Sequence, residues 1–366
     1  MTDVLINGDG AAGLAAAIIL RKKGKTVTVV QRDANAHNTR VGESLTSTAL
    51  ISIKELGLIN DFLLSGHPFC YGNSSCWGND KLSYFDFIQS PMGSGWYIDR
   101  PMFDHMLRAR AAELGTDFVT CGRIVDLERN SGDTWLYSTG NKAVPEIEPR
   151  IIIDASGRHS WLSRRLGIPR ISDDKQIAVT TVLTTGRRIK SFHSMVEAVS
   201  DGWWYVADFT DSKTACIFFT DLGLHKLADL TDIDYLEAKK EQTLFVKHRV
   251  PGHAYEILTP PDITSAGSSS LAEYGGPGWL VAGDAACAMD PLSSHGIAFA
   301  LRSGIDAALA AASNLDGSQS AICSYNETLH TAVNIYREQR LRIYAQETRW
   351  PESPYWKRRQ GIVVEK

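Results

Sequence analysis

The stretch that most constrains the fold of this chain is its first thirty-three residues. An apolar strand leads into three spaced glycines, and a helix-like segment over residues 14–23 is followed by a second apolar strand. Gly8 permits a tight turn, Gly10 lets the backbone approach a diphosphate, and Gly13 allows the helix to pack closely on the strand. This strand–loop–helix order predicts a dinucleotide-binding unit.

The start of this helix provides the charge that a dinucleotide needs. The backbone N–H groups of the first turn, which Ala11 and Ala12 open, and the positive end of the helix dipole attract phosphate. An acidic residue at the end of the second strand normally accepts hydrogen bonds from the adenosine ribose, whereas this chain has Gln31 and Arg32 there. A glutamine amide can also bond a ribose hydroxyl. We therefore predict that these four residues contact the nucleotide, which the loop alone does not identify as FAD or NAD.

The whole chain has the composition of a soluble globular protein. Its 366 residues are 43% hydrophobic and 22% charged, which permits a sizeable core and argues against disorder. The formal net charge of −4 argues against a general nucleic-acid binder. No apolar run approaches the roughly 20 residues of a membrane span, and the first strand leaves no room for a signal peptide. Six scattered cysteines without a Cys-x-x-Cys pair indicate reduced thiols. We expect a cytoplasmic protein without a bound metal.

The strand and helix patterns along the chain predict an α/β fold. Apolar strands followed by helices recur in three separate blocks, and strand-rich segments with turn residues lie between them. We therefore predict a Rossmann-type nucleotide-binding domain with an inserted antiparallel-sheet substrate domain and a helical C-terminus. The predicted boundaries are 1–67, 99–174 and 276–345 for the nucleotide domain, 68–98 and 175–275 for the sheet domain, and 346–366 for a C-terminal extension.

Three further motifs follow the glycine loop along the chain. One opens an amphipathic helix, and each of the other two comes directly after a buried strand, where the ligand-binding loops of a parallel sheet lie. Each motif alone is a common turn or a surface charge, so only their joint order is specific. The motifs are Arg100-Pro101-x-Phe103-Asp104, Asp154-Ala155-Ser156-Gly157-Arg158-His159-Ser160, and Gly283-Asp284-Ala285-Ala286 with its continuation Asp290-Pro291-Leu292-Ser293-Ser294-His295-Gly296-Ile297.

In this order the motifs resemble the FAD-dependent aromatic hydroxylases and, more closely, the flavin-dependent halogenases and geranylgeranyl reductases. The resemblance spans nearly the whole chain and implies a glutathione-reductase-like FAD domain, molecular oxygen as a substrate and an electron donor. It places Asp284 on a ribityl hydroxyl and the helix after Gly296 beside the isoalloxazine ring, where N–H groups stabilise the reduced, anionic cofactor. The further FAD-contacting residues that it implies are Arg40, Glu43, Ser44, Arg100, Asp154, Ala155, Gly157, Gly283, Pro291, Ser294, Gly296 and Ile297.

The chain differs from the halogenases at their catalytic lysine. The matching region reads Phe69-Cys70-Tyr71-Gly72-Asn73, and no lysine occurs between Lys54 and Lys81. The resemblance therefore favours transfer of a hydroxyl to an aromatic ring rather than halogenation. His295, next to the flavin loop, is the candidate acid–base residue, with a helix cap as the alternative role.

The C-terminal part is similar to the LodB and GoxB flavoproteins, a small bacterial group that helps to mature cysteine tryptophylquinone in partner amino-acid oxidases. The similarity rests on residues 336–344 and 349–359, which are rich in Arg, Tyr and Trp. A member of this group is expected to act on a tryptophan of the precursor of its partner oxidase. Two alternatives stay open: a hydroxylase or halogenase of a small aromatic metabolite, and a non-catalytic flavoprotein that serves as a maturation chaperone.

The charge of the C-terminal segment is opposite to that of the whole chain. Between Arg337 and Lys366 there are eight basic residues and four acidic ones. We expect this segment to steer an acidic partner surface, with Trp350, Tyr355 and Trp356 as anchors. The alternative is a solvated helix face. On the first view, deleting residues 349–366 spares FAD binding and abolishes modification of the precursor.

Overall fold

One end of the molecule is built on a six-stranded sheet. The structure, a computed structural model, describes residues 2–31, 43–87, 93–121, 126–129, 134–138, 146–184, 193–210 and 212–360. In spatial order the strands are β19 (Gly275–Gly276), β20 (Trp279–Val281), β11 (Pro149–Asp154), β1 (Thr2–Asn7), β2 (Val27–Gln31) and β8 (Asp117–Thr120). All neighbours run parallel except β19 and β20. The middle of β1, Val4 to Ile6, is fully buried, as expected for a parallel sheet between layers of helices.

Helices pack around this sheet and fix its loops. They are α1 (Ala11–Lys22), α2 (Ala49–Leu56), α3 (Ile59–Leu64), α4 (Arg100–Glu113), α5 (Trp161–Arg165), α9 (Gly296–Leu315) and α10 (Ala321–Ala345). Helix α4 starts where the sequence predicts, because Asp99 Oδ1 accepts a hydrogen bond from Met102 N at 3.1 Å and a proline occupies the first turn. Helices α1 and α9 approach closely: a Cβ on Gly304 would lie 2.2 Å from the Ala12 carbonyl oxygen.

A second, seven-stranded sheet lies beside the first. In spatial order its strands are β17 (Glu256–Ser265), β13 (Gln176–Thr184), β16 (Lys213–Asp221), β15 (Gly202–Asp208), β14 (His193–Val199), β5 (Gly72–Cys76) and β6 (Ser83–Asp86). The two chain segments assigned to the substrate domain thus share one sheet. The pair β14 and β5 is parallel, whereas the sequence analysis predicts an antiparallel sheet. The long connection between these two strands leaves their relative direction free, unlike a hairpin.

The two faces of this sheet are covered by different helices. The helices α6 (Leu227–Leu230), α7 (Ile233–Glu241) and α8 (Val246–Arg249) cover the face of Trp204 and Phe218. The opposite face, with Trp203 and Phe219, packs against the end of α10 and against α11 (Pro354–Arg359). Adjacent residues of one strand point to opposite faces, so the paired aromatics Trp203 and Trp204 belong to two separate cores.

Three smaller sheets join the main units. The first contains β12 (Arg170–Ser172), β18 (Ser269–Leu271) and β21 (Cys287–Ala288). The second contains β3 (Ser44–Leu45), β7 (Gly95–Tyr97) and β4 (Phe69–Cys70), and the third contains β9 (Asp126–Arg129) and β10 (Trp135–Ser138). The predicted α/β fold class is therefore confirmed, and the domain boundaries stay predictions.

The C-terminal segment is part of the core, so the expectation that Tyr355 and Trp356 anchor a partner is wrong, whereas the role of the partly buried Trp350 stays a prediction. Tyr355 and Trp356 are 0% exposed. The Trp356 indole Nε1 donates to the Val199 carbonyl oxygen at 2.9 Å. The basic residues pair within the protein as well, since Arg359 Nη2 lies 2.6 Å from Asp221 Oδ1. The basic residues that give this segment its positive charge therefore neutralise carboxylates of the same chain.

Helix α9 is long and apolar enough, by length and composition alone, to cross a membrane, although it contains no uninterrupted apolar run of that length. Arg302 and Asp306 interrupt the apolar pattern and pair with each other across one helical turn. In the structure 61% of the apolar stretch of α9 is buried inside the protein, against α1 and α10. The apolar residues of α9 therefore pack mainly in the interior of the protein.

Candidate active site

The loop between β1 and α1 requires glycine at two positions for reasons internal to the protein. Gly8 has φ +120°, and a Cβ there would lie 2.4 Å from the Ala155 carbonyl oxygen. A Cβ on Gly13 would lie 1.9 Å from the Gly8 carbonyl oxygen. Gly8 thus lets the loop touch the residue that follows β11, and Gly13 lets α1 start against the strand.

Gly10 differs because the protein itself leaves room for a side chain there. It is the N-cap residue of α1, and a Cβ on it would meet no described atom within 4 Å. No described side chain caps this helix, so the first turn, which Ala11 and Ala12 begin, offers N–H groups and a positive dipole end to a ligand. An open helix N-terminus behind a glycine is the arrangement that a diphosphate fits.

The end of β2 lies beside an arginine that no sequence motif marks. Arg108 of α4 donates to Gln31 Oε1, and its Nη1 lies 3.2 Å from Asp9 Oδ2. Gln31 Nε2 in turn donates to Thr120 Oγ1 at 2.5 Å. Both ends of the Gln31 amide are thus held by the protein, and Arg108 becomes a further candidate for contact with the nucleotide. The predicted contacts Arg32 and Arg40 lie outside the described residues.

Arg100 forms a buried ion-pair cluster with Glu43 and Asp104. Its Nη1 lies 2.5 Å from Glu43 Oε2, and its Nη2 lies 3.2 Å from Asp104 Oδ1. Burial alone lowers the pKa of Arg100, but the two carboxylates raise it above its ordinary value, so the side chain stays charged. Arg100 Nε is buried and has no partner among the described residues. The predicted contact of Arg100 with FAD stays a prediction. Ser44, the neighbour of Glu43, hydrogen-bonds the Tyr205 hydroxyl.

Asp154 shapes its own loop, and its contact with FAD stays a prediction. It ends β11 and is fully buried. Its Oδ1 accepts from Ser156 N at 3.0 Å and its Oδ2 from Leu162 N at 2.8 Å. Burial raises the pKa of this carboxyl, although these hydrogen bonds oppose the shift. These hydrogen bonds fix the loop that contains Ala155 and Gly157. The Ala155 carbonyl oxygen lies against Gly8, and Gly157 has φ +68°.

Gly283 and Asp284 follow β20 and complete this edge of the sheet. Gly283 has φ +62°, and a Cβ there would lie 2.8 Å from Ala12 Cβ. The Asp284 carboxylate is partly exposed, and its Oδ2 lies 3.7 Å from Arg158 Nε. Arg170 Nη2 donates to the Asp284 carbonyl oxygen at 2.8 Å. The motif predicted Asp284 as a ligand of the ribityl chain, but it did not reveal the two arginines around it.

The loop between β21 and α9 contains the remaining predicted contacts. Pro291 begins a single turn that ends at Ser294, which has φ +52°. His295 precedes α9 and is exposed, and its Nδ1 donates to the Ser293 carbonyl oxygen, which leaves Nε2 for a reacting group. No described atom lies within 4 Å of a Cβ on Gly296, and no described side chain caps α9. Ile297 is buried.

Three of these loops meet because their strands are neighbours. The strands β1, β11 and β20 run parallel and side by side, so the loops after them lie at the same edge of the sheet. Such an edge is where α/β proteins bind nucleotides. The open Gly10, the uncapped α1 and the unpartnered Arg100 Nε fit a dinucleotide cofactor with a diphosphate.

Comparisons with known proteins agree with this site. Residues 1–336 match the family model described as FAD binding domain. The LodB flavoprotein of Marinomonas mediterranea is 27% identical over 365 residues, which cover 98% of this chain and 97% of LodB. The structure of the flavin-dependent halogenase CmlS superposes with a TM-score of 0.86 at 23% identity and covers 100% of this chain and 68% of CmlS.

A further solved structure with the same fold is that of QhpG. It superposes with a TM-score of 0.77 at 22% identity, over 98% of this chain and 78% of QhpG. At this identity the likeness shows the fold. The match to the family model covers most of the chain and identifies the cofactor as FAD. The chain therefore belongs to the FAD-binding-domain family of flavin-dependent oxidoreductases, monooxygenases and halogenases.

Proposed function

We propose that this protein is an FAD-dependent monooxygenase that hydroxylates a tryptophan within a partner protein, the precursor of a quinone-cofactor amino-acid oxidase. The observation that carries the proposal is similarity to LodB along 98% of the chain. QhpG, which shares the fold, is described as a peptidyl tryptophan dihydroxylase essential for tryptophylquinone cofactor biogenesis. Both resemblances extend through the C-terminal helices, so they include the part of the chain beyond the family model.

The region that matches the halogenase lysine supports hydroxylation over halogenation. It falls on β4 and β5, where no lysine occurs from residue 55 to residue 80. Cys70 lies there, fully buried, and its Sγ donates to the Gly72 carbonyl oxygen at 3.4 Å. Burial raises the pKa of this thiol, so it stays neutral. A neutral, buried thiol lacks the ammonium group by which a lysine would act.

Oxygen activation is the chemistry that the cofactor supplies in such a reaction. One atom of O2 enters the aromatic C–H bond as a hydroxyl, and the other leaves as water with two electrons from an external donor and two protons. In this proposal the first turn of α9 stabilises negative charge, and His295 moves a proton through Nε2. The Trp203 and Trp204 rings do not stack an indole substrate, because they are buried against Phe219 and Phe218.

Exposed aromatic side chains on β6 and around β4 support a protein substrate. Phe69 and Tyr71 are 47% and 41% exposed, and their rings stack with centroids 5.7 Å apart. Tyr84 and Phe85, on the edge strand β6, are 66% and 54% exposed. Exposed apolar surface of this kind marks contact sites between proteins. The edge strand also offers backbone groups to an extended polypeptide.

Co-expression with the oxidase precursor tests the proposal. We expect the intact mass of the precursor to increase by one or two oxygen atoms when this protein is present, with the added mass on a tryptophan after proteolysis. The matched control is the Gly10→Val variant, which should not bind FAD. Oxygenation without this protein would refute the proposal. Equal maturation of the precursor by the FAD-free variant would instead identify a chaperone.

A halogenation assay tests the second candidate, which the fold similarity to CmlS favours. Purified protein, given reduced flavin, oxygen and bromide, is expected to yield no brominated product from free tryptophan or other indoles. The physical reason is the missing lysine between residues 54 and 81. Mass spectrometry of the products is the measurement, and turnover to a bromoindole would contradict the assigned chemistry.

A further inference from the structure

Asp290 begins the loop of residues 290–295 that precedes α9, and the protein holds it from several sides. It is 1% exposed. Its backbone N donates to the Tyr336 hydroxyl at 2.6 Å, and its Oδ1 accepts from Leu292 N at 3.0 Å. Its Oδ2 accepts from the Tyr344 hydroxyl at 2.9 Å and from Arg340 Nε at 3.1 Å. Both carboxylate oxygens and the backbone N–H group are therefore engaged.

Three of these contacts come from a single face of α10. Tyr336, Arg340 and Tyr344 are spaced by four residues, which places them along one side of the helix. Each of them also reaches a second element. The Tyr336 hydroxyl donates to Ser268 Oγ at 2.9 Å, and Trp203 Nε1 donates to the Tyr344 hydroxyl at 3.2 Å. This face of α10 thus connects the loop that begins at Asp290 with the seven-stranded sheet, through hydrogen bonds.

Arg340 is the centre of this arrangement because it bridges two buried carboxylates. Its Nη2 pairs with Asp174, and its Nε pairs with Asp290. Burial alone lowers the pKa of Arg340, but the carboxylates of Asp290 and Asp174 raise it above its ordinary value, so the guanidinium stays charged. The C-terminal helix joins the same cluster, since Arg359 Nη2 lies 3.7 Å from Asp174 Oδ2.

A buried ion pair is weak evidence for stability, because the desolvation of the two charges offsets most of their attraction. Its directional hydrogen bonds do fix one geometry, however. Here the fixed geometry is that of residues 291–295, a turn with one left-handed residue that leads directly into the uncapped start of α9. A one-residue displacement of this turn would move the N–H groups of α9 away from bound FAD.

We propose that Arg340 is a positioning residue: through Asp290 it holds the loop 291–295 in the geometry that directs the start of α9 at FAD. The inference rests on FAD binding and not on the substrate. In this view the α10 face and the C-terminal helix do not contact FAD themselves. They fix the loop that does, through Asp290 and Asp174. The loop alone, which is short and contains two serines, would sample other turns.

Two conservative variants, Arg340→Lys and Asp290→Asn, test this role. The lysine keeps the charge but loses the fork that reaches both carboxylates, and the asparagine keeps an acceptor for Leu292 N but loses the charge. We expect FAD to bind about tenfold more weakly, as measured by quenching of flavin fluorescence. At saturating FAD, we also expect an altered flavin absorption spectrum and a more negative reduction potential, because the reduced anion is less stabilised.

The matched controls lie one helical turn away. Arg337, also on α10, pairs with Asp173 at 3.1 Å and is not among the contacts of Asp290. Arg337→Lys and Asp173→Asn should lower the melting temperature of the FAD-free protein less, because this pair is partly exposed, and should leave the flavin spectrum and potential unchanged. If Arg340→Lys and Asp290→Asn, saturated with FAD, share the spectrum and potential of the unaltered protein, the role of Arg340 is structural and the proposal fails.

Discussion

Replacing Gly10 with valine is expected to abolish FAD binding and to leave the apoprotein folded. A Cβ at this position meets no described atom within 4 Å, so the branched side chain does not clash with the protein. It would occupy the space in front of the α1 N-terminus, where a diphosphate must approach the backbone. We expect the dissociation constant of FAD to rise at least about a hundredfold, which corresponds to about 2.8 kcal/mol.

Titration of the apoprotein with FAD measures this loss, and circular dichroism with thermal unfolding checks the fold. The informative companion variant is Gly13→Val. Its Cβ would lie 1.9 Å from the Gly8 carbonyl oxygen, so it should damage the fold itself. The two variants of one motif are thus expected to lose different properties: Gly10→Val loses FAD binding, and Gly13→Val loses the native fold. Tight FAD binding by Gly10→Val would mean that the diphosphate lies elsewhere.

Replacing Trp356 with alanine is expected to lower the free energy of unfolding by about 3–5 kcal/mol. The indole is fully buried in the core of the seven-stranded sheet. Its ring lies 5.3 Å from that of Trp77 and 5.1 Å from that of Tyr355, measured between centroids. Alanine would leave a large cavity and a Val199 carbonyl oxygen without its indole donor. Urea denaturation at equilibrium measures the change.

Arg342→Ala is the control, because Arg342 lies on the preceding helix, α10, and its side chain is 79% exposed. Surface substitutions of this kind change the free energy of unfolding by no more than about 0.5 kcal/mol. Deleting residues 349–366 should be more damaging than Trp356→Ala, since it also removes Arg359 from Asp221. A truncated protein with unchanged stability and FAD binding would restore the view of the tail as a docking arm.

The sequence predicts the overall fold well because its signals are local. The glycine loop, the apolar strand at residues 151–153 and the break at Gly57 each determine structure within a few residues of themselves. Gly57, for example, has φ +80° and separates α2 from α3, because glycine adopts this left-handed conformation at the end of a helix without steric cost. Three parallel strands in the predicted blocks then bring their loops to one edge.

The sequence predicts the roles of charged residues less well, because their partners are distant along the chain. Arg359 and Asp221 are separated by 138 residues, and Arg340 and Asp174 by 166. The count of basic residues near the C-terminus therefore predicted a basic surface for a partner protein. In the structure, Arg340 and Arg359 instead belong to a buried cluster of ion pairs. Asp154 shows the same difficulty over a short range: a carboxylate after a strand can bind a ligand or cap its own loop.

The packing of α11 also determines when the protein can finish folding during its synthesis. The last described helix ends at Arg359, whose guanidinium provides the counter-charge for the fully buried Asp221. The seven-stranded sheet therefore lacks both this charge and its aromatic cover until the ribosome has made α11. We expect nascent chains that stop short of α11 to be cleared by proteases, so that premature termination leaves no partly active flavoprotein in the cell.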